Sequence, residues 1–446
     1  MRTIAEHAQA LTEGRVTSRA LIEDCLARIA DADGEGSRAF VKVYTEPARA
    51  SADAIDALRR AGRAPGPYAG IPVSLKDLLD VAGEPTPAGS RALADAPPAR
   101  EHAPVVARLL AAGFIPIGRT NMTEFAFSGL GINPHHGTPR SPWDRKTGRI
   151  PGGSSSGAAV SVADGMALVA IGTDTGGSCR IPAAYCSVVG YKPTARRVPI
   201  GGVLPLAPSL DSIGPLARSV ACCAIVDAVL AGTPPAPPKA TSLASLRLAV
   251  PETIVLDGLA PEVATAFDHA LHALSESGAA IIRTRFPVFE EVGRVGAAGG
   301  FAASEAYAWH RTLMAEKGAL YDPRIRQRIA RGEHINAADY VELRAARARL
   351  IARFDAATAG FDAVVMPTSP ILPAPIAELD DEREYNRINL LSLRNTTLGN
   401  FLDRCAISLP CHRHGEPPVG LMLMGETMGD ARLFSIAQGI EAAIMP

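Results

Sequence analysis

The sequence predicts an α/β protein: a single large domain with a central mixed β-sheet covered by helices on both faces. Three observations carry this. Short apolar runs that read as strands alternate along the chain with amphipathic helical stretches. The 446 residues, 47% hydrophobic and 20% charged, are enough for a substantial globular core. The one linker-like segment, "GTPPAPPKATS" (residues 232–242), reads as a surface crossover within one domain rather than a hinge. The domain therefore spans residues 1–446.

The elements follow in order. "TSRALIEDCLARIADAD" spaces Leu21, Ile22, Cys25, Leu26 and Ile29 on one helical face, with Thr17 or Ser18 as N-cap. "PARASADAIDALRRAG" reads as a second helix. "YAGIPVSLKDLLDVAG" reads as a short strand ending in a polar turn at Lys76-Asp77. "APVVARLLAAGFIPIGRTN" gives a helix, a glycine stop and a strand over Phe114–Ile117. A Pro- and Gly-rich loop region follows. The run "SSSGAAVSVADGMALVAIGTDTGGS" then reads helix, strand, loop, which places Ser178 beyond a strand's carboxyl end, where sites in such sheets gather. After the crossover, "LRLAVPE", a helix over residues 261–277 and "AAIIRTRFPVF" form another strand-helix-strand unit. Asn336 is expected to cap the helix "AADYVELRAARARLIARF", with Asp339 in its first turn and Arg344, Arg347 and Arg353 on a solvated face.

Composition excludes several function classes. A formal net charge of −1 gives no global attraction to nucleic acid or anionic membrane. The apolar runs "MALVAIG" and "VACCAIVDAVLAG" fall short of the ~20 residues of a membrane span. The N-terminal stretch is broken by Glu6, His7 and Gln9, unlike a secretory signal. Seven cysteines suit buried free thiols in a reducing cytoplasm better than a disulfide framework. No zinc spacing, HExxH or phosphate loop is present, so neither metal nor cofactor is expected. The expected partner is a small neutral molecule.

Three stretches carry candidate chemistry. In "GTDTGGSCRIP" (residues 172–182), Ser178 follows two glycines, and the amides of Thr175, Gly176, Gly177 and Ser178 have the makings of an oxyanion hole. An ordinary Gly-Gly turn would read the same. In "PGGSSSG" (residues 151–157), Gly153–Gly157 matches G-x-S-x-G, but no strand precedes it as a nucleophile elbow requires. The third is Lys76. Only six lysines stand among 45 basic residues, so a lysine at the end of an apolar strand needs its own reason. Burial lowers a lysine pKa into the range of a neutral base, whereas arginine stays protonated. A surface turn at Lys76-Asp77 is the plain alternative.

Lys76, "PGGSSSG" and "GTDTGGSCRIPAAYCSVVGYKPT" together, with "AGIPVSLKD", "GRTNMTEFAFSG", "NPHHGTPRSPWD" and "PLAPSLDSIGPLARSV", resemble the amidase signature family. The likeness is dense over about residues 68–230, fades after the crossover, and returns at "AISLPC" and "PPVGLMLMGE"; residues 243–446 are then the substrate-specificity portion. The resemblance implies the amidase signature fold and a catalytic triad of Ser178 as acyl-forming nucleophile, Ser154 as proton relay and Lys76 as base. It also implies oxyanion donors at Thr175, Gly176, Gly177 and Ser178, and substrate contacts at Ala126, Phe127 and Ser154. Asp174 and Arg180 are read as ordering the loop. Arg119 and Ser156 depart from the residues many members carry. The implied activity is hydrolysis of the C–N bond of a small amide, or of an ester, anilide or carbamate, and because many members are dimers a homodimer is the expected assembly. The alternatives are the glutaminase A subunit of a tRNA-dependent amidotransferase, or a non-catalytic binding protein on the same fold. Against the amidotransferase reading, "TARRVPIGGVLPLAP" replaces the "TYGRVSRYG"-like run expected after "KPT".

Overall fold

A computed structural model describes residues 3–444. Its eleven described strands are β1 (Phe40–Val43), β2 (Pro72–Lys76), β3 (Ile115–Thr120), β4 (Val169–Thr173), β5 (Val189–Lys192) and β6 (Ile213–Ala217), followed by β7 (Arg247–Pro251), β8 (Ala280–Thr284), β9 (Ala363–Pro367), β10 (Ala406–Pro410) and β11 (Gly420–Met424). They form one sheet in the order β1-β3-β2-β4-β6-β5-β10-β11-β9-β7-β8. Parallel pairing joins β2 to β3 and β4, and β7 to β8 and β9, while β4 through β9 are linked by antiparallel pairs. The sheet is mixed and continuous. β7 to β11 follow the Pro-rich stretch at residues 232–242 and join the same sheet.

The strands β2, β4, β5, β6, β9, β10 and β11 are buried along their whole length, as strands covered on both faces must be. The helix Val220–Ala231 packs against β6 on one face, and the almost entirely buried helix Ser156–Ala163 packs against β4 and β2. Their cores are distinct clusters, one containing Val73, Leu75 and Ile171, the other Ala158, Val162 and Ala170.

Several elements differ from expectation. The third strand runs Ile115–Thr120, beginning one residue later and ending three later than expected, because pairing with β2 carries it to Thr120 opposite Lys76. The N-terminal stretch, read only for what it was not, is a helix Ile4–Thr12 closed by a Thr3–Glu6 capping box. Asn336 caps Ala337–Thr358 as expected, again with a capping box through Asp339. The arginine stripe on that helix is not uniformly solvated. Arg344 is exposed, but Arg347 donates to the carbonyls of Phe401, Ser209 and Asn400 and is held by them at a helix–helix seam.

Candidate active site

Two parallel neighbours end side by side. β2 finishes at Lys76 and β4 at Thr173, with Leu75 opposite Ile171, so both terminal side chains lie at the carboxyl edge. Lys76 is fully buried and donates to Ser154 Oγ at 2.7 Å and Thr173 Oγ1 at 2.8 Å. Burial disfavours the ammonium and pushes the Lys76 pKa down to about 7, partly offset by Cys179, Asp174 and Asp211. The surface-turn alternative for Lys76-Asp77 does not hold. Asp77 is itself buried and paired with Arg119, whose Nε lies 2.7 Å from Oδ1 and whose Nη2 donates to the Asp77 carbonyl. Arg119 thus braces the residue that follows Lys76.

Each serine of the upstream run has its own partner. Ser154 meets Lys76, Ser155 Oγ donates to the Thr173 carbonyl at 3.3 Å, and Ser156 Oγ donates to the Asn121 carbonyl at 3.4 Å. Only the first faces the lysine. The Gly153–Ser154 peptide is cis. The helix can enter this crowded place because Gly157 has no side chain: a Cβ there would stand 2.2 Å from the Ala39 carbonyl oxygen.

Ser178 lies on the loop leaving β4, and the Ser155 amide donates to its carbonyl at 3.3 Å, tying the two serine motifs together. Asp174 organises that loop. It accepts from the amides of Gly177 (2.8 Å) and Cys179 (3.1 Å), from the Arg180 guanidinium (2.9 and 3.0 Å) and from Asn400 Nδ2 (2.9 Å). Burial alone would raise its pKa, but the Arg180 charge and hydrogen bonds hold it well below the usual carboxylate range. Gly177 has φ +135°, and a Cβ there would lie 2.2 Å from Thr396 Oγ1. The four amides expected of an oxyanion hole do not share one environment. The Gly177 amide is occupied by Asp174, whereas those of Thr175, Gly176 and Ser178 donate to no described residue.

Phe125 and Ala126 both adopt left-handed backbone, φ 50° and 59°, a costly pair for residues with side chains. The surroundings enforce it. Buried Glu124 accepts from Ser90 Oγ (2.6 Å), the Asp322 amide (2.6 Å) and His135 Nε2 (2.9 Å). Phe125 packs edge-on against His310 and tilted against Tyr321, and Arg328 donates to the Phe127 carbonyl at 2.9 Å. The Ala126 carbonyl accepts no hydrogen bond from the described residues.

Sequence reasoning missed Thr173, Glu124, Asp211, Arg328, Thr396 and Asn400. Thr173 was within reach, as it directly precedes the Asp174 loop. Thr396 and Asn400 fall in residues 243–446, the portion that the family likeness implies for substrate specificity without assigning contacts. A cavity of about 770 Å³ opens elsewhere, between Arg247, Asp355, Arg404 and Glu426, and none of the site residues described above lines it.

The chain and its fold are matched by known proteins. The family model described as Amidase matches residues 20–434. The 2-amino-5-chloromuconic acid deaminase of Comamonas testosteroni is 38% identical over 449 residues, covering 99% of this chain and 96% of that protein. The A subunit of the glutamyl-tRNA(Gln) amidotransferase of Chloroflexus aggregans is 34% identical, covering 98% and 96%. A crystal structure of an amidase superposes with a TM-score of 0.90 at 32% identity, covering 99% of this chain and 100% of that one. The chain belongs to the amidase family, and its class is that of the amidase-family hydrolases.

Proposed function

We propose that the protein hydrolyses a linear amide through an acyl-enzyme on Ser178, using Ser154 and neutral Lys76 as the proton relay. The observation that carries this reading is the fully buried Lys76 amine, its pKa pushed down to about 7 by burial, 2.7 Å from Ser154 Oγ. Ser178 Oγ attacks the amide carbonyl as its proton passes to Ser154 and the Ser154 proton to Lys76. The amides of Thr175, Gly176 and Ser178 take the developing oxyanion, and Gly177 is reserved for holding the loop. The proton then returns from Lys76 through Ser154 to the nitrogen as the C–N bond breaks. Water reverses the relay and releases the acid.

Arg328 narrows the acyl group. It is half-buried, forms no ion pair with the described residues, and has its pKa lowered by desolvation. Its guanidinium, 5.9 Å from the Tyr385 ring, is anchored by one nitrogen to the Phe127 carbonyl beside the Ala126 turn. A half-buried guanidinium without an ion-pair partner among the described residues, beside the Ala126 turn, suits a substrate carboxylate. The Comamonas relative is named for an acid substrate, which points the same way.

The test is a panel of amides with acidic and neutral acyl groups, offered to the purified chain alone. Ammonia or amine release is expected without any partner, with acidic acyl groups preferred by tenfold or more in kcat/KM. The second reading, favoured by the likeness to the amidotransferase chain, is a glutaminase that works in a complex. Activity only with partner proteins and glutamine would establish that reading and overturn ours.

A further inference from the structure

The loop that carries Ser178 leans on two supports. The first is the turn over residues 207–212. Its Asp211 Oδ1 accepts from Thr175 Oγ1 at 2.5 Å, and the carboxylate is itself gripped by the amides of Leu206 and Ala207 at 3.0 to 3.2 Å. Ser212 exchanges both backbone hydrogen bonds with Asp174, at 2.8 and 3.2 Å, and its hydroxyl donates to the Asp174 carbonyl at 2.9 Å. The second support is the short helix Thr396–Phe401. At its start Thr396 Oγ1 donates to the Gly176 carbonyl (2.6 Å), and one turn on Asn400 Nδ2 donates to the Asp174 carbonyl (3.1 Å) and Oδ1 (2.9 Å).

One guanidinium holds both supports. From the helix Ala337–Thr358, Arg347 Nη1 donates to the Ser209 carbonyl in the turn (3.0 Å). Its Nε and Nη2 donate to the Phe401 (2.9 Å) and Asn400 (3.3 Å) carbonyls, which end the short helix and would otherwise lack donors. Burial lowers the Arg347 pKa, partly offset by Asp403 and Glu305, yet no carboxylate lies within ion-pair distance of it among the described residues. Three carbonyls stand in for a counter-charge. Only a planar fork of donors reaches them all at once, so lysine is no equal substitute. A second helix, Gly300–Lys317, holds the turn from its other side: Glu305 Oε2 accepts from the Ser209 amide at 2.9 Å, while its Oε1 accepts from Tyr340 Oη at 2.6 Å. Ser209 is clasped by its N–H and its C=O together.

The Gly176 and Gly177 peptides have no side chains to fix them, so the direction of the loop amides depends on these supports. Oxyanion donors must be set in place before charge develops on the substrate. We propose that Arg347 is a positioning residue for acyl transfer, which with Glu305 clamps the two supports together and so sets where the amides of Thr175, Gly176 and Ser178 stand when the tetrahedral intermediate forms. The inference rests on the acyl-enzyme reading given above. Arg347 itself touches no reacting atom. It acts through the 207–212 turn on Thr175 and Asp174, and through the short helix on Gly176 and Asp174.

The test is Arg347→Met, with Arg344→Met on the exposed side of the same helix as control. A slow ester counts the chains that acylate at Ser178, so kcat is taken per working site. In Arg347→Met, kcat for an amide is expected to fall about 10- to 100-fold, the cost of a displacement of about 1 Å at a catalytic group, with KM changed by no more than about twofold. Affinity for a trifluoromethyl ketone of the same acyl group, which Ser178 converts to a tetrahedral adduct, should fall by the same factor. Arg347→Lys should lie between native and Arg347→Met. Glu305→Leu frees the Ser209 amide, leaves Arg347 in place and should show the same pattern, which answers the question if Arg347→Met does not fold. A merely structural role would lower the count of working sites and leave kcat per site and ketone affinity within about twofold of native. That result in Arg347→Met, or in Glu305→Leu in its stead, would overturn the proposal, as would an equal loss in Arg344→Met. A native chain that forms no adduct at Ser178 would sink the parent reading instead.

Discussion

Ser178→Ala is expected to lower turnover by about 10⁶, because nucleophile and base act as one unit. The variant should remain folded. The Ser178 hydroxyl makes no hydrogen bond with the described residues, while its backbone carbonyl, which does, is kept. A thermal melt within about 2 °C of the native protein would establish that the loss is chemical. Mass spectrometry gives a second readout: a slow ester substrate should leave an acyl adduct on the native chain and none on the variant. Ten per cent residual activity in a folded Ser178→Ala protein would remove Ser178 from its role.

Lys76→Met is expected to be nearly as damaging to activity and, unusually, to stabilise the protein. Methionine replaces the apolar stem and removes the proton acceptor, so Ser154 loses its base and kcat should fall by about 10⁴ or more. The stability gain follows from the depressed pKa. The Lys76 amine titrates near 7 in the folded protein against an ordinary value of 10.5. Between those values the unfolded chain binds one more proton, so native stability rises with pH there. At and below about pH 7 the full penalty applies, on the order of 3–5 kcal/mol before the lost hydrogen bonds to Ser154 and Thr173 are subtracted. Chemical denaturation should therefore find Lys76→Met more stable than the native protein at pH 7, with the advantage shrinking toward pH 10. The catalytic sign is the mirror of this: native kcat/KM should rise with pH through about 7 as Lys76 loses its proton. Near-normal activity in Lys76→Met at neutral pH would refute the base assignment.

What was legible in the sequence was local. The scarcity of lysine drew attention to Lys76 because one residue's chemical type was out of keeping with the chain. The glycines before Ser178 did the same for the oxyanion loop. Cap signals at Thr17 and Asn336 placed helix starts, since a cap bonds within three residues. What was not legible depends on chain separation. Asn400 and Thr396 secure the Asp174–Ser178 loop from more than 200 residues away, and Asp322 reaches Glu124 across 198. No periodicity encodes such pairs. The Arg347 reading failed for the same reason, because the three carbonyls it binds come from other elements. The central strands β5, β10 and β11 were visible only as stretches of family likeness. They are short and fully buried, and so lack the alternation that marks a strand with one wet face.

The central claim, that Lys76 is the neutral base, is tested most directly by titrating it. With lysine labelled at ¹³Cε the chain offers six signals. Lys76→Met removes one and so assigns it, separating it from Lys192, another buried lysine whose pKa burial and Arg180 push down to about 8. The account predicts that the assigned signal titrates near pH 7 and that the acidic limb of kcat/KM has the same midpoint. A Lys76 signal that stays protonated until pH 9 or above would contradict it.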